Sequence, residues 1–217
     1  MPPTQPTDRT VAVLVVIFTV ADGALQVLLI QRSAPPDEGR WAIPGGALRP
    51  DEALDAAAVR KLADETGVTD VFLEQLYTFD GLDPTTPTTT AITHFALVDH
   101  ARVRLPERSA WRPAWFPMAA LPILALHNDR VLEVARRRLI NKLEYTNAAY
   151  SLLPEHFPLS DLQAVYESIL GRQLDKRNFR RRMLASGLLV ATSRTAQAGR
   201  HRPARLYRFA SRLPTEL

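Results

Sequence analysis

Gly46-Ala47-Leu48-Arg49-Pro50-Asp51-Glu52-Ala53-Leu54-Asp55-Ala56-Ala57-Ala58-Val59-Arg60-Lys61-Leu62-Ala63-Asp64-Glu65-Thr66-Gly67-Val68 is the stretch that decides the fold. Leu54, Ala58, Leu62 and Glu65 recur at helical spacing, which predicts a helix over Asp51–Thr66. Gly67 follows as a left-handed C-cap. Loop, helix and loop are thus joined by fixed intervals. Five residues separate Gly46 from Glu52, and seven separate Glu52 from Arg60. Lys61, Asp64 and Glu65 stand at i, i+3 and i+4, so they share one helical face.

Working outward, Trp41-Ala42-Ile43-Pro44-Gly45 leads into this stretch, and Trp41 to Pro50 reads as irregular. Before it lie two apolar, β-branched runs, Val11 to Val20 and Leu25 to Gln31. Asp22-Gly23 between them is a hairpin signal. After it, Val71 to Phe79 and Ala91 to Val98 read as strands around a Thr/Pro-rich loop, Asp80 to Thr90. Trp115 to Phe116 is a further short strand. Asp129 to Leu143 is a second helix, with Val131, Leu132, Ala135, Leu139, Ile140 and Leu143 on one face.

The spacing from Gly46 to Val68 resembles the Nudix box at every position, and residues 41–46 resemble the run that precedes that box. Family members cleave a nucleoside diphosphate linked to another group. The resemblance implies that three carboxylates on the helical face hold Mg²⁺, which neutralises the diphosphate and activates water. Here the three positions are Lys61, Asp64 and Glu65, so the face carries −1 rather than −3. An ammonium has no acceptor for a metal, and Asp64 is one methylene shorter than the usual Glu. Two charges about 4 Å apart at an effective dielectric of ~20 interact by roughly 4 kcal/mol. Exchanging attraction for repulsion should therefore leave any Mg²⁺ site at Asp64 and Glu65 weak or lost. No catalytic residue is assigned. Glu52 and Arg60 keep their family types and resemble the pair that braces the box. Lys61 could instead meet the diphosphate directly and turn a hydrolase into a binder. The expected ligand contacts are Arg40, Trp41, Gly45 and Gly46, with Lys61 and Glu65 beneath and Phe79 and Asp80 at the pocket edge. The five histidines have no metal-ligand spacing and read as structural or surface.

The chain has 217 residues and 46% hydrophobic content, enough for a medium domain and a small one. The absence of cysteine excludes disulfides, thiolate metal sites and a cysteine nucleophile. Residues 1–10 read as a loose tail. Val11 to Val20 is too short to span a bilayer, so a soluble cytoplasmic protein is expected, with no membrane partner. The net charge of +4 is uneven. Residues 1–150 hold 15 Lys and Arg against 18 Asp and Glu; residues 151–217 hold 12 against 5. A net −3 block therefore precedes a net +7 block, the footprint of a polyanion-binding tail domain.

In that basic block, Leu159 to Leu170 is a helix capped by Ser160, and Asp175 to Ser186 is a helix capped by Asp175 and ended by Gly187. Leu188 to Thr192 and Arg205 to Phe209 are short strands. Helix, turn, helix, hairpin is the order of a winged helix-turn-helix. Phe179, Met183 and Leu184 read as the apolar face of the second helix, opposite Arg177, Asn178, Arg181 and Arg182. The candidate DNA contacts are Lys176, Arg177, Asn178, Arg180, Arg181 and Arg182, with Arg200 and Arg202 on a wing.

The two halves together resemble the NrtR family, Nudix-related regulators of NAD metabolism. The C-terminal marks are residues 159–163, 166–167, 169–172, 174–181, 187–189 and 203–209. The fold expected is α+β: a Nudix-type α/β/α sandwich over residues 11–145 with a winged helix-turn-helix over 146–217. The resemblance implies a homodimer on a palindromic double-stranded operator, repressing NAD synthesis or salvage genes. It also implies release by ADP-ribose or a related nucleotide, with no cofactor required beyond weak Mg²⁺. Some relatives govern sugar catabolism. The alternative is an active ADP-ribose-type pyrophosphatase with an accessory nucleic-acid-binding domain.

Overall fold

The computed structural model describes residues 10–83, 85, 89–106, 112–195 and 204–213. Strands β1 (Val11–Ala21) and β2 (Ala24–Gln31) form the expected hairpin. Asp22 and Gly23 both take positive φ, 52° and 71°. That pair of left-handed residues matches the turn to the twist of the strands. β3 (Trp41–Ala42) pairs with β2, and β4 (Gly45–Ala47) pairs with β1. The stretch expected to be irregular is thus stitched to the sheet on both sides. Helix α1 (Leu54–Thr66) follows, then β5 (Phe72–Asp80), β6 (Thr90–Leu97) and β7 (Arg112–Pro117). The sheet order is β3-β2-β1-β6-β5, with β4 beside β1 and β7 beside β2. Among the strand pairings of the described residues β1–β6 is parallel and the others antiparallel, and Trp41 makes an isolated parallel bridge to Leu124.

β1 is buried on both faces, which explains its unbroken apolar run. Val13, Val15 and Ile17 face α1, through Ala57, Ala58 and Leu62. Val16 and Phe18 face the other way, into a core shared with helix α2 (Asn128–Tyr145). Helices on both faces of a mixed sheet make the sandwich expected.

α1 starts at Leu54, three residues later than the sequence pattern predicts. Asp51 has φ 60°, which breaks helical geometry. Gly67 ends the helix at φ 70°, its N–H donating to the Ala63 carbonyl.

A 3-10 turn, Ala148–Leu152, leads from α2 to β8 (Phe157–Pro158), α3 (Leu159–Leu170), α4 (Lys176–Ala185), β9 (Leu189–Thr195) and β10 (Arg205–Phe209). The small sheet runs β8-β10-β9. This is a winged helix with one strand and one turn more than the sequence pattern showed. Ser160 does not cap α3: Pro158 holds the cap position, and Ser160 Oγ donates to Asp161 instead. Asp175 does cap α4, accepting from the Asn178 N–H at 2.8 Å. Leu184 departs from the expected apolar face and is 51% exposed.

No linker separates the two halves. The 3-10 turn packs on β5, β6 and α2, and α3 packs on β1 and β2. Ser151 Oγ accepts from the buried Phe72 N–H at 2.7 Å. One apolar core runs from Phe18 and Phe95 of the sheet, through Leu139 and Tyr150, to Tyr166, Phe179 and Met183.

Candidate functional site

The box is braced by a two-pronged ion pair. Arg60 Nε and an Nη donate to the two carboxylate oxygens of Glu52 at 2.7 and 2.8 Å. The Arg49 N–H adds a longer bond at 3.3 Å. These donors, Arg60 first, hold the Glu52 carboxyl down at about 2. The pair fastens the loop before α1 to the second turn of the helix. Asp64, whose side chain is 57% exposed, reaches back to Arg60 at 3.7 Å.

The remaining face is mixed in charge. Burial pushes the Glu65 carboxyl up, Lys61 pulls it down, and Asp64 pushes it up further. The half-buried Lys61 lies over Gly46: a methyl group added to Gly46 would stand 3.2 Å from Lys61 Nζ. Gly45 is tighter still, since a side chain there would collide with Leu14 and the Val13 carbonyl. The two glycines thus let the β3–β4 loop press onto β1 and let the lysine ammonium approach the backbone.

Next to this loop is a cavity of about 270 Å³, bounded by Ala12 and Leu14 of β1, Gly45 and Gly46, Arg32, and Asn128 at the start of α2. Leu82, Asp83 and Thr89, from the segment between β5 and β6, close one side. Its size is near the lower end of small-molecule pockets, ~300 Å³. Asn128 is fixed in place: its side chain accepts from the Ile43 N–H at 2.7 Å and donates to the Leu126 carbonyl at 3.0 Å. Arg32 Nε donates to the Pro36 carbonyl at 2.7 Å. A wider cleft of about 740 Å³, between the β1–β2 turn and α3, shares no lining residue with the box.

Gly45 and Gly46, two of the residues read as ligand contacts, stand on the cavity wall, with Lys61 against Gly46. Other expected contacts lie elsewhere. Trp41 packs edge-on against Phe116, ring centres 4.6 Å apart, and Phe79 is buried beside Tyr77. Arg40 is tied to Asp37 at 3.0 Å, and Asp80 accepts from Thr90 Oγ1 at 2.7 Å. None of these four lines the cavity. Arg32 and Asn128 do, and sequence reasoning passed over both. Buried His94 is 3.5 Å from Asp55, too long for a good hydrogen bond, and burial pushes its imidazole pKa down.

The basic residues of α4 divide by direction. Phe179 and Met183 face the core. Arg177 and Arg181 lie on the outer side, one turn apart, and Arg181 donates to Asn178 Oδ1 at 3.0 Å. Lys176 and Arg180 border a cavity of about 330 Å³ with Ser160 and Arg205. Arg182 turns towards α2 and, with Glu144 and Ile140, lines a cavity of about 190 Å³. Arg200 and Arg202 lie outside the described residues.

The fold and these two surfaces define a Nudix-type domain fused through a shared core to a winged helix with a cationic outer helix. Residues 8–137 match the NUDIX domain, and residues 149–209 match the NrtR DNA-binding winged helix domain. The chain belongs to the NrtR family of Nudix-related transcription regulators. It is 41% identical to the "ADPR responsive transcriptional repressor NtrR" of Acinetobacter baylyi, over 89% of this chain and 79% of that one. The crystal structure of Shewanella oneidensis NrtR complexed with a 27mer DNA superposes with a TM-score of 0.80 at 33% identity, covering 92% of this chain and 93% of that chain. The NUDIX domain of the same protein, complexed with ADP ribose, is 31% identical with a TM-score of 0.55, over 64% and 94%.

Proposed function

We propose that this protein is a repressor that binds a palindromic duplex operator as a homodimer and leaves it when ADP-ribose or a related nucleotide fills the cavity beside Gly45 and Gly46. The observation that carries this reading is the unbroken core between that cavity's sheet and Phe179 of α4. A ligand that shifts the sheet or α2 has a packed route to the reading helix, and it lowers DNA affinity by its differential affinity for the two arrangements. The response of the Acinetobacter repressor to ADPR and the two Shewanella complexes support the same assignment of partners. Residues 11–145 take the effector role and residues 146–217 the DNA role. The protein acts in the cytoplasm, on genes of NAD synthesis or salvage.

In this reading the box binds without turning over. Mg²⁺ needs several oxygen ligands. Here Asp64 is drawn to Arg60, the Lys61 ammonium lies beside Gly46, and Glu65, pushed up by burial, is the one carboxylate left on the face. The donor set does not fit the metal, so no metal-dependent step is assigned. The ammonium is placed to meet a diphosphate in the cation's stead. The intact Glu52–Arg60 brace is the one feature that favours the alternative, an active pyrophosphatase.

A mobility shift on duplex DNA selected by the full-length protein tests the proposal. ADP-ribose is expected to release the DNA while phosphate-release assays in Mg²⁺ stay near background. Tight ADP-ribose binding with unchanged DNA affinity would sink the coupling, and turnover of about 10 s⁻¹ would make the protein an enzyme.

A further inference from the structure

We propose that Leu184 is a specificity-determining residue of the DNA-reading surface, its side chain seated against the C5-methyl group of a thymine in the major groove. The inference deepens the reading above and rests on α4 being the helix that enters that groove.

Every other bulky apolar side chain of α4 is buried: Phe179 is 4% exposed and Met183 3%, whereas Leu184 is 51% exposed. With 3.6 residues per turn, Arg177, Arg181 and Leu184 stand at i, i+4 and i+7, in one row on the side away from the core. Two cations and then a branched hydrocarbon form the outer ridge of the helix. The bond from Arg181 to Asn178 Oδ1 steadies the guanidinium and leaves other N–H groups free to point outward. This makes Asn178 a positioning residue for Arg181.

A base-pair edge in the major groove presents acceptors, amino donors and one apolar feature, the thymine methyl. Arg181 suits the acceptors of guanine. Leu184 has no polar atom to offer, so thymine is the base it can favour. It stands about 4.5 Å beyond Arg181 along the helix axis, at 1.5 Å per residue. Base pairs are spaced by about 3.4 Å. A guanine under Arg181 and a thymine one step along are thus within reach of the same ridge. A protein partner fits poorly, because one leucine among arginines lacks the charge-depleted centre of a protein interface.

The full-length protein can be used to select its preferred sites from a random-sequence duplex pool. In the best site, each thymine is then replaced in turn by deoxyuridine, which removes the methyl and keeps every hydrogen-bonding atom. The wild type is expected to bind about four-fold more weakly with deoxyuridine at one position per half-site, the worth of one buried methyl. Leu184→Ala is expected to bind thymine and uracil equally there. Its side chain is outside the core, so the thermal midpoint should not move. The assignment of Leu184 is overturned if no position shows the penalty, if the penalty survives in Leu184→Ala, or if that variant weakens all sequences alike. Those results leave α4 as the reading helix, provided that Arg181→Ala lowers sequence discrimination. A pool with no enriched site, or unchanged discrimination in Arg181→Ala, removes the reading helix and this proposal with it.

Discussion

Glu52, which braces the box, and Lys61, which departs from it, each carry a prediction at the scale of one residue. The Glu52 carboxyl titrates at about 2 instead of 4.5 because Arg60 donates twice to its charged form. A carboxyl depressed in the folded state stabilises the fold fully above its ordinary value and loses that contribution as pH falls from 4.5 towards 2. Glu52→Gln should therefore lower the urea midpoint at neutral pH, and the gap to the wild type should close across that window. A gap that stays constant down to the lowest pH would mean that the pair acts through packing alone. Lys61→Glu should strengthen Mg²⁺ binding by at least about tenfold, or ~1.4 kcal/mol, read by titration calorimetry. No gain would mean that the helical face does not govern metal affinity. Both residues were legible in the sequence, because a motif fixes side chains on one local element. Arg32 and Asn128 were not. They reach the cavity from segments ninety-six residues apart, Arg32 after β2 and Asn128 at the start of α2, and only the tertiary fold brings them together.

Elements were legible in proportion to their length. α2 repeats its apolar residues often enough to declare a helical period, and β1 and β2 declare themselves as long, unbroken apolar runs. β8 has two residues and no period to read, and β3 and β4 are held by their pairing with β2 and β1. The start of α1 was misplaced because the apolar spacing begins only at Leu54 and cannot show that the backbone at Asp51 turns left-handed and that Glu52 swings to Arg60. Asp175 was read correctly, since an N-cap is a local signal. Asp175→Ala should cost about 1 kcal/mol and lower the thermal midpoint by roughly 2–4 °C. It should also weaken DNA binding, because the frayed turn carries Lys176 and Arg177. Asp175→Asn should restore both, since Asn also caps; a failure to do so would assign Asp175 a role other than capping.

At the scale of the whole molecule, the sequence marked two blocks by charge but gave no sign that they share a core. The join depends on Ser151, Tyr150 and Tyr166, which look like ordinary polar and aromatic residues in a list. Tyr166 is 1% exposed, packs against Phe179 at 5.2 Å, and its hydroxyl lies 3.4 Å from the Leu143 carbonyl. One core predicts one cooperative transition. All three tryptophans precede residue 146, so their fluorescence reports the first block, while far-ultraviolet circular dichroism also reports α3 and α4. The two probes should give the same urea midpoint; separate midpoints would mean that the halves unfold independently. Ser151→Ala, which leaves the Phe72 N–H unsatisfied, should lower both midpoints together, by about 1–3 kcal/mol.

The shared core also bears on modularity. Many DNA-binding heads hang from a flexible tether and can be grafted onto a foreign sensor. This one cannot be cut out cleanly. Severing the chain after Tyr145 would strip Ala148, Ala149, Tyr150 and Leu152 from the sheet and leave a greasy scar on both fragments, prone to clumping. Chimeras should tolerate exchange of the wing or of the surface of α4, and recombination across this seam should yield insoluble halves.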